Sequence, residues 1–325
     1  DWVNAPGRPF PVTIDPVIQT SQDFSNMNHA FVAEGKANET LTARGMYETG
    51  YQKTEKQLRS YWSMSLPDIG MARIISARFD ILAYAGYSEF GPDATDLVVS
   101  VHQVTGNWSA NSITWNNKPS HDGKAADYNI YKNPNKGGTA GFYWSHFDIT
   151  QIVQDWYMNP GSNYGLVLKE YVEYTVKNTG GAYIKYYTKY NSIEMGGSVP
   201  SDFRPVIQIN YRDTKGLEPY WTYTSLTAGR SAAMYVNNYN GALTLVNGDM
   251  GVSGSRMPVS LQHVYNHNSS KWHTNFDMSV KQPSNGELQT HFPYYLTDGD
   301  GTEHYFYSKD GKYVDEDGLG YTLEL

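Results

Sequence analysis

Strict two-residue alternation of side chains, repeated in short runs, narrows what this chain can fold into more than any other feature. In "RIISARFDILAY" (73–84), Ile75, Ala77, Phe79 and Ile81 face one way while Ile74, Ser76, Arg78 and Asp80 face the other. In "RPVIQINY" (204–211), Ile207, Ile209 and Tyr211 alternate with Val206, Gln208 and Asn210. A period of two belongs to a strand with one buried face. The same reading extends to 97–104, 139–149, 164–171 and 182–190, with Gly, Asn and Pro turns between the runs. Many short strands set off in this way predict an all-β fold, an antiparallel jelly-roll β-sandwich. Composition agrees: 28 Tyr and 8 Trp are rings that pack well on pleated surfaces.

One helix interrupts the pattern. "FDITQIVQDWYMNPG" (147–161) offers Asp148 or Thr150 as N-cap, then Ile152, Val153 and Trp156 at helical spacing, then Asn159, Pro160 and Gly161 as a stop. Alternation ends after Tyr211 in the polar stretch "RDTKGLEPYW" (212–221), which places a boundary near 213–218. The expected division is a leader strand over 1–20, a sandwich over 21–213 and a smaller hairpin region over 214–325. In that last region Asn240-Gly241 and Asp310-Gly311 mark hairpin tips. Val259, Leu261, His263 and Tyr265 share one strand face, and no helix is expected there.

Charge and cysteine content exclude several functions. A net charge of −8 opposes nucleic acid, whose phosphates need a basic face, and supplies no polybasic patch for lipid. No run approaches the length of a membrane span. The absence of cysteine removes disulfides, thiolate chemistry and cysteine-bound zinc, and fits a protein exported by a Gram-positive bacterium. The opening "DWVNAPGRPFPVTIDP" lacks a signal segment, so the chain reads as a piece of a longer precursor.

The acidic stretch "TDGDGTEHYFYSKDGKYVDEDG" (297–318) is the obvious place to look for an ion. Counting an EF-hand loop from Asp298 puts Asp300 at position 3, but Glu303 where Gly is required and Lys309 where Glu is required. The Asp-Gly pairs at 300–301, 310–311 and 317–318 fit turn chemistry instead. A structural calcium ion at Asp298 and Asp300 is the weaker alternative, and no other cofactor is expected. "GVSGS" (251–255) ends in Ser255 where a nucleophile elbow needs Gly. His263, His267 and His273 are too scattered for a metal triad. Nothing in the sequence points to a pair of catalytic carboxylates.

Binding by flat rings is the remaining chemistry. "FYWSHF" (142–147) puts Phe142, Trp144 and His146 on one strand face, and "YIKYY" (183–187) puts Tyr183, Lys185 and Tyr187 on one face. Trp144, Tyr183, Lys185 and Tyr187 are therefore the candidate ligand contacts, with ordinary cross-strand packing as the alternative for each ring. Trp156 is expected to be a structural anchor that pins the helix to the sandwich.

The segments "FPVTIDP" (10–16), 59–84, "VTGNWSANSITWNNKPS" (104–120), 147–169 and "FRPVIQINY" (203–211) together resemble the DNRLRE domain. This is a jelly-roll sandwich related to carbohydrate-binding modules of secreted bacterial and archaeal proteins. The run from Trp108 to Pro119 is its most specific part; it implies Trp108 and Trp115 as structural anchors, with Thr114 and Asn116 expected to satisfy nearby backbone. One departure is that Thr188 and Tyr190 stand where the family usually carries Ser-x-Glu. The stretches 216–249, 256–266 and 294–325 resemble the entry into an RHS/YD-repeat wall-associated protein. The resemblance implies a non-enzymatic module that attaches a secreted, cell-wall-associated protein to cell-wall or extracellular polysaccharide. RHS repeats and a toxin of the same precursor would be its partners. A structural cap or plug of the RHS shell is the second reading, and a polysaccharide-active enzyme the third.

Overall fold

In two places a single strand takes partners on both edges and changes partner along its length, and these junctions set the architecture. The structure is a computed structural model. It describes residues 17–20, 27–41, 46–69, 72–92, 94–173, 181–187, 205–212, 215–219, 221–238, 241–252, 259–267, 271–284 and 286–324. The chain divides into two compact units, one of 17–68 with 76–209 and the other built mainly from 210–325 with 69–75.

The first unit is all-β and two-layered. One layer runs β2 (Met27–Ala33), β4 (Lys56–Met64), β9 (Leu166–Glu170), β6 (Leu97–Gln103) and β7 (Asp127–Tyr131). The other runs β8 (Gly141–Asp148), β5 (Arg73–Ala85), β10 (Tyr183–Tyr187) and β3 (Met46–Gln52), with β11 (Val206–Arg212) and β1 (Val17–Gln19) beyond β5. β4 is the first junction: Lys56–Leu58 pair with β3, Ser60–Trp62 pair with β9, and the opposite edge pairs with β2. β5 is the second, flanked by β8 and β10.

The inward residues of the two layers meet in an aromatic core. Trp62 on β4 lies 5.0 Å from Tyr47 on β3 and 6.1 Å from Phe79 on β5. Phe79 in turn stacks on Phe147 of β8 at 6.5 Å. All four rings are almost wholly buried, each worth about 2–3 kcal/mol of transfer free energy. A polar stitch joins the same layers. The Tyr131 hydroxyl on β7 meets Ser145 Oγ on β8 at 2.6 Å and the Tyr186 hydroxyl on β10 at 2.9 Å. Burial pushes the Tyr131 hydroxyl up to about 12 and Tyr186 well above its ordinary range, so both stay protonated donors.

The expected alternation appears on β5, where Ala77, Phe79, Ile81 and Ala83 point into the core. Ile74, Asp80 and Leu82 on its other face are also buried, because β5 is a central strand whose outer face neighbouring side chains cover.

The helix α1 spans Thr150–Met158 and buries Ile152, Val153 and Trp156. Its cap differs from the sequence expectation: Ile149 holds the N-cap position and offers no side-chain bond. Asp148 acts one residue earlier, its Oδ1 accepting from the Thr150 backbone at 2.9 Å and from the Thr150 hydroxyl at 2.7 Å. A strand that runs directly into a helix leaves no free turn for a standard cap.

The Trp108–Pro119 run lies on the outer face of the β2–β4–β9 layer. Trp108 and Trp115 pack over Ala30, Val32, Tyr61, Ile113 and Val167. Trp108 Nε1 donates to the Tyr164 carbonyl at 2.7 Å. Trp115 sits between the Arg59 guanidinium at 5.2 Å and Lys118 Nζ at 3.9 Å. The expected backbone role of Asn116 falls to Asn117, whose side chain accepts from Thr114 N and donates to the Ser112 carbonyl. Asn116 Nδ2 donates to Asn38 instead.

The second unit holds two five-stranded antiparallel meanders. The first is β12 (Tyr223–Ala228), β13 (Ala232–Asn237), β14 (Leu243–Val252), β15 (Val259–Asn266) and β16 (Lys271–Thr274). The second is β17 (Ser279–Lys281), β18 (Tyr294–Thr297), β19 (Glu303–Lys309), β20 (Lys312–Asp315) and β21 (Thr322–Leu323). Contrary to expectation, a helix α2 occupies Gly286–His291; at six residues it is too short to show a helical period. Asp310 and Gly311 join β19 to β20 with φ of 51° and 76°, the left-handed pair that a tight hairpin requires.

Candidate functional site

Strand register brings the predicted contacts together on one face. Trp144 stands opposite Leu82, and Leu82 opposite Tyr187. Phe142 stands opposite Tyr84, and Tyr84 opposite Lys185. Residues paired across neighbouring strands share a face, so Trp144, Lys185 and Tyr183 all lie on the outer face of β8–β5–β10. The side chain of Tyr187 and the departures at Thr188 and Tyr190 lie outside the described residues.

The three described side chains are not equivalent. Trp144 is exposed at 43% of its area, large for a tryptophan in a strand. Lys185 is engaged, its Nζ lying 2.7 Å from the buried Glu89 carboxylate and 6.0 Å from the Tyr183 ring centre. Burial raises the Tyr183 hydroxyl even though Lys185 pulls it down. Tyr183 and Lys185 thus form a packed, ion-paired edge, and Trp144 is the solvent-exposed ring.

A polar cluster that sequence reasoning did not single out stands beside that ring. His146 follows Trp144 by two residues on the same face, about 7 Å along the strand. Its Nδ1 lies 2.7 Å from Asp80 Oδ1 on β5. Arg78 grips the same carboxylate with two bonds of 2.7 and 3.0 Å and adds one of 3.0 Å to Gln208. Asp80 is buried at 5% while the Arg78 and His146 side chains remain 41% and 48% exposed. The carboxylate fixes two donor-bearing groups and leaves their outer edges to solvent. The signal was present: alternation set Arg78 and Asp80 against the core-facing residues and His146 with Trp144.

A groove of about 420 Å³ opens next to Trp144, lined also by Tyr143, Asn129, Ile130, Lys132 and Thr139. An exposed ring with fixed hydrogen-bonding groups beside it can stack on the apolar face of a sugar and bond its hydroxyls.

The weak metal alternative has a different use in the structure. Asp298 Oδ1 accepts from the backbones of Asp300 and Thr302 at 3.1 and 3.0 Å, and Asp300 Oδ1 accepts from Thr302 N at 3.0 Å. His304 lies between Asp298 Oδ2 at 3.1 Å and Asp317 Oδ2 at 3.3 Å. Bonds donated to those carboxylates raise the imidazole to about 10, so a protonated histidine stands among the acids. Burial pushes the Asp298 carboxyl up, but bonds from His304 and Asp300 outweigh it and the carboxyl ends below its ordinary range. Among the described residues no group of three or more His, Asp or Glu is arranged to hold a metal. No helix of the described residues is long and apolar enough to cross a membrane.

The chain is similar to the tRNA nuclease WapA of Bacillus subtilis (strain 168) and to the tRNA3(Ser)-specific nuclease WapA of Bacillus spizizenii. Each is 26% identical over 229 residues, which take in 67% of this chain but 8% of the relative's length. Two solved structures align loosely. They are "Crystal structure of HCR/D-Sa-GBL1/C" at a TM-score of 0.23 and the binding domain of botulinum neurotoxin DC in complex with rat synaptotagmin II at 0.18. Both are 8% identical and cover 91% of this chain and 87% of their own, too distant for any argument here. The family comparison carries more. The model of carbohydrate-binding module family 96 matches residues 20–192, more than half of the chain and the stretch that bears β8, the greater part of both layers and the Trp144 groove. The chain belongs to carbohydrate-binding module family 96.

Proposed function

We propose that the sandwich is a non-catalytic glycan-binding module of a secreted, cell-wall-associated protein of a Gram-positive bacterium, holding that protein on wall or extracellular polysaccharide. The observation that carries this reading is Trp144, which is exposed, lines a groove with Tyr143 and Ile130, and shares its strand face with His146 of the Arg78–Asp80–His146 cluster. The ring supplies a stacking platform, and the guanidinium and imidazole supply bonds that orient the sugar. Family membership supports a carbohydrate ligand, and the net charge of −8 speaks against nucleic acid. The nuclease activity in the relatives' names belongs to proteins of which this chain matches 8%, so attachment rather than cleavage is assigned to it.

The second unit is the start of an RHS-type β-shell, with the repeats and toxin of the same precursor as partners. One feature supports this. Leu226, Met234, Leu245, Tyr265 and Trp272 stand opposite one another across β12 to β16. Leu226 and Trp272 are 54% and 55% exposed, an apolar row that further sheet would cover.

Pull-down on purified wall polysaccharide tests the reading. The intact chain is retained, and Trp144→Ala lowers retention at least tenfold. Failure of the intact chain to bind any polysaccharide overturns the reading.

A further inference from the structure

The edge strand β7 carries two exposed side chains on one face, Tyr128 at 53% and Ile130 at 52%. Alternation makes them neighbours about 7 Å apart. The residues between and beside them turn the other way, Asn129 donating to the His146 carbonyl at 2.9 Å and Tyr131 reaching Ser145. Ile130 lines the Trp144 groove. Tyr128 lines a second depression, of about 730 Å³, together with His102, His121, Lys169 and Tyr171.

Tyr171 completes a platform there. It is 52% exposed, and its ring lies 5.7 Å from that of Tyr128. The register explains the approach: Ser100 pairs with both Tyr128 and Lys169, and the Tyr171 backbone donates to the Val98 carbonyl opposite Ile130. Two depressions thus share one strand, and the exposed residues along it are one ring, Tyr128, and one aliphatic chain, Ile130.

The polar lining carries charges of both signs, with Lys124 and Asp127 also bordering the second depression. Lys132 pairs with Asp96 at 2.7 Å. Lys169 Nζ donates to the Glu170 carbonyl at 2.7 Å and lies 4.0 Å from Glu173. His102 and His121 both reach the Asp122 carbonyl through Nδ1, at 2.9 and 2.7 Å. Burial lowers both imidazoles below their ordinary value, so they are neutral at neutral pH. Such a surface suits hydroxyl-rich, uncharged sugar.

We propose that a single uncharged polysaccharide chain lies across the edge strand, from Trp144 past Ile130 to Tyr128 and Tyr171, so that the module grips an internal stretch of polymer rather than one terminal sugar. This rests on the glycan-binding reading above and extends it to a second, separate set of residues. Affinity then grows with fragment length until a fragment reaches both depressions.

The test uses the full chain and size-fractionated fragments of the purified wall polysaccharide, with affinity read by calorimetry. The intact chain binds long fragments much more tightly than short ones. Tyr128→Ala and Tyr171→Ala each weaken long-fragment binding roughly tenfold while short-fragment binding stays as it was. Both tyrosines are on the surface, so unchanged thermal unfolding confirms that the variants are folded. Binding that falls for Trp144→Ala but is untouched by both tyrosine variants, or that is equal for short and long fragments, overturns the inference and leaves the glycan-binding reading standing. Binding to no fragment overturns both.

Discussion

The two units solve the same problem, stabilising antiparallel sheet, with opposite materials. The sandwich buries Phe31, Tyr47, Trp62, Phe79, Ile81, Phe147 and many aliphatic partners. Across 215–324, the apolar side chains buried among the described residues are Val264, Pro283, Tyr305 and Phe306. The interior there is polar: Glu218, Asn237, Thr244, Asn266, Thr302, His304 and Asp315 are all buried. Asn266 is its knot, accepting from Gly216 N at 2.9 Å and from the Thr244 hydroxyl at 3.1 Å while donating to the Asp300 carbonyl at 2.9 Å. Gly216 sits at φ +66°, where a Cβ would come within 2.2 Å of Thr302 Oγ1. A core of rings stabilises a sheet by area alone, whereas a core of hydrogen bonds depends on every partner being present. The sandwich is therefore built to tolerate its surface changing, and the second unit is sensitive to geometry and protonation.

The sharpest way to break this contrast is Phe79→Ala, which removes the ring between Trp62 and Phe147. It costs about 3–5 kcal/mol, read as a lowered denaturant midpoint of the sandwich. A loss below one kcal/mol would mean the aromatic core is not the source of stability.

His304→Ala comes next, at about 2 kcal/mol, because it leaves Asp298 without its cation and Asp317 with Arg73 alone, at 2.6 Å. The pH dependence follows from the same group. Its folded value, about 10, lies above the ordinary 6.5, so its contribution is complete below pH 6.5 and is lost as pH rises through 10. Unfolding followed by hydrogen exchange in 215–324 should show loss of protection at alkaline pH while the sandwich amides hold. Equal loss in both units would erase the distinction.

Tyr131→Phe is smaller, about 1 kcal/mol, since Ser145 and Tyr186 lose one shared partner but the ring remains. Chemical denaturation measures it. Smallest for stability is Trp144→Ala, within about 0.5 kcal/mol as for other exposed positions. The same change removes most of the polysaccharide binding. A substitution that leaves the melting curve alone and abolishes retention separates the surface of the sandwich from its core.

Much of the sandwich was legible in the sequence because its strands follow a strict period. The alternation of β5 and β6 and the buried trio of α1 can be read directly from spacing. What could not be read is non-local. The divided pairing of β4 depends on strands far away in the chain, and the burial of Leu82 depends on what crosses the outer face of β5. The site divides the same way. Trp144 announces itself as a ring out of step with the core, whereas Arg78 and Asp80 look like ordinary solvated charges until register sets them beside His146. In the second unit the turn-forming aspartates were legible from their glycines. The histidine among them was not, since Asp298, His304 and Asp317 are brought together by three separate segments.

The edge position of β7 carries a cost outside recognition. A terminal strand that shows Tyr128 and Ile130 to solvent is also open to pairing with a stray strand from another molecule, the usual route to aggregation. Lys132, whose side chain is 68% exposed at the end of that strand, is placed where a charge discourages such stacking. Keeping an edge adhesive for one polymer while repelling its own kind limits how apolar that strand can become. Substitutions chosen only to tighten glycan capture there should be expected to shorten the protein's lifetime in solution.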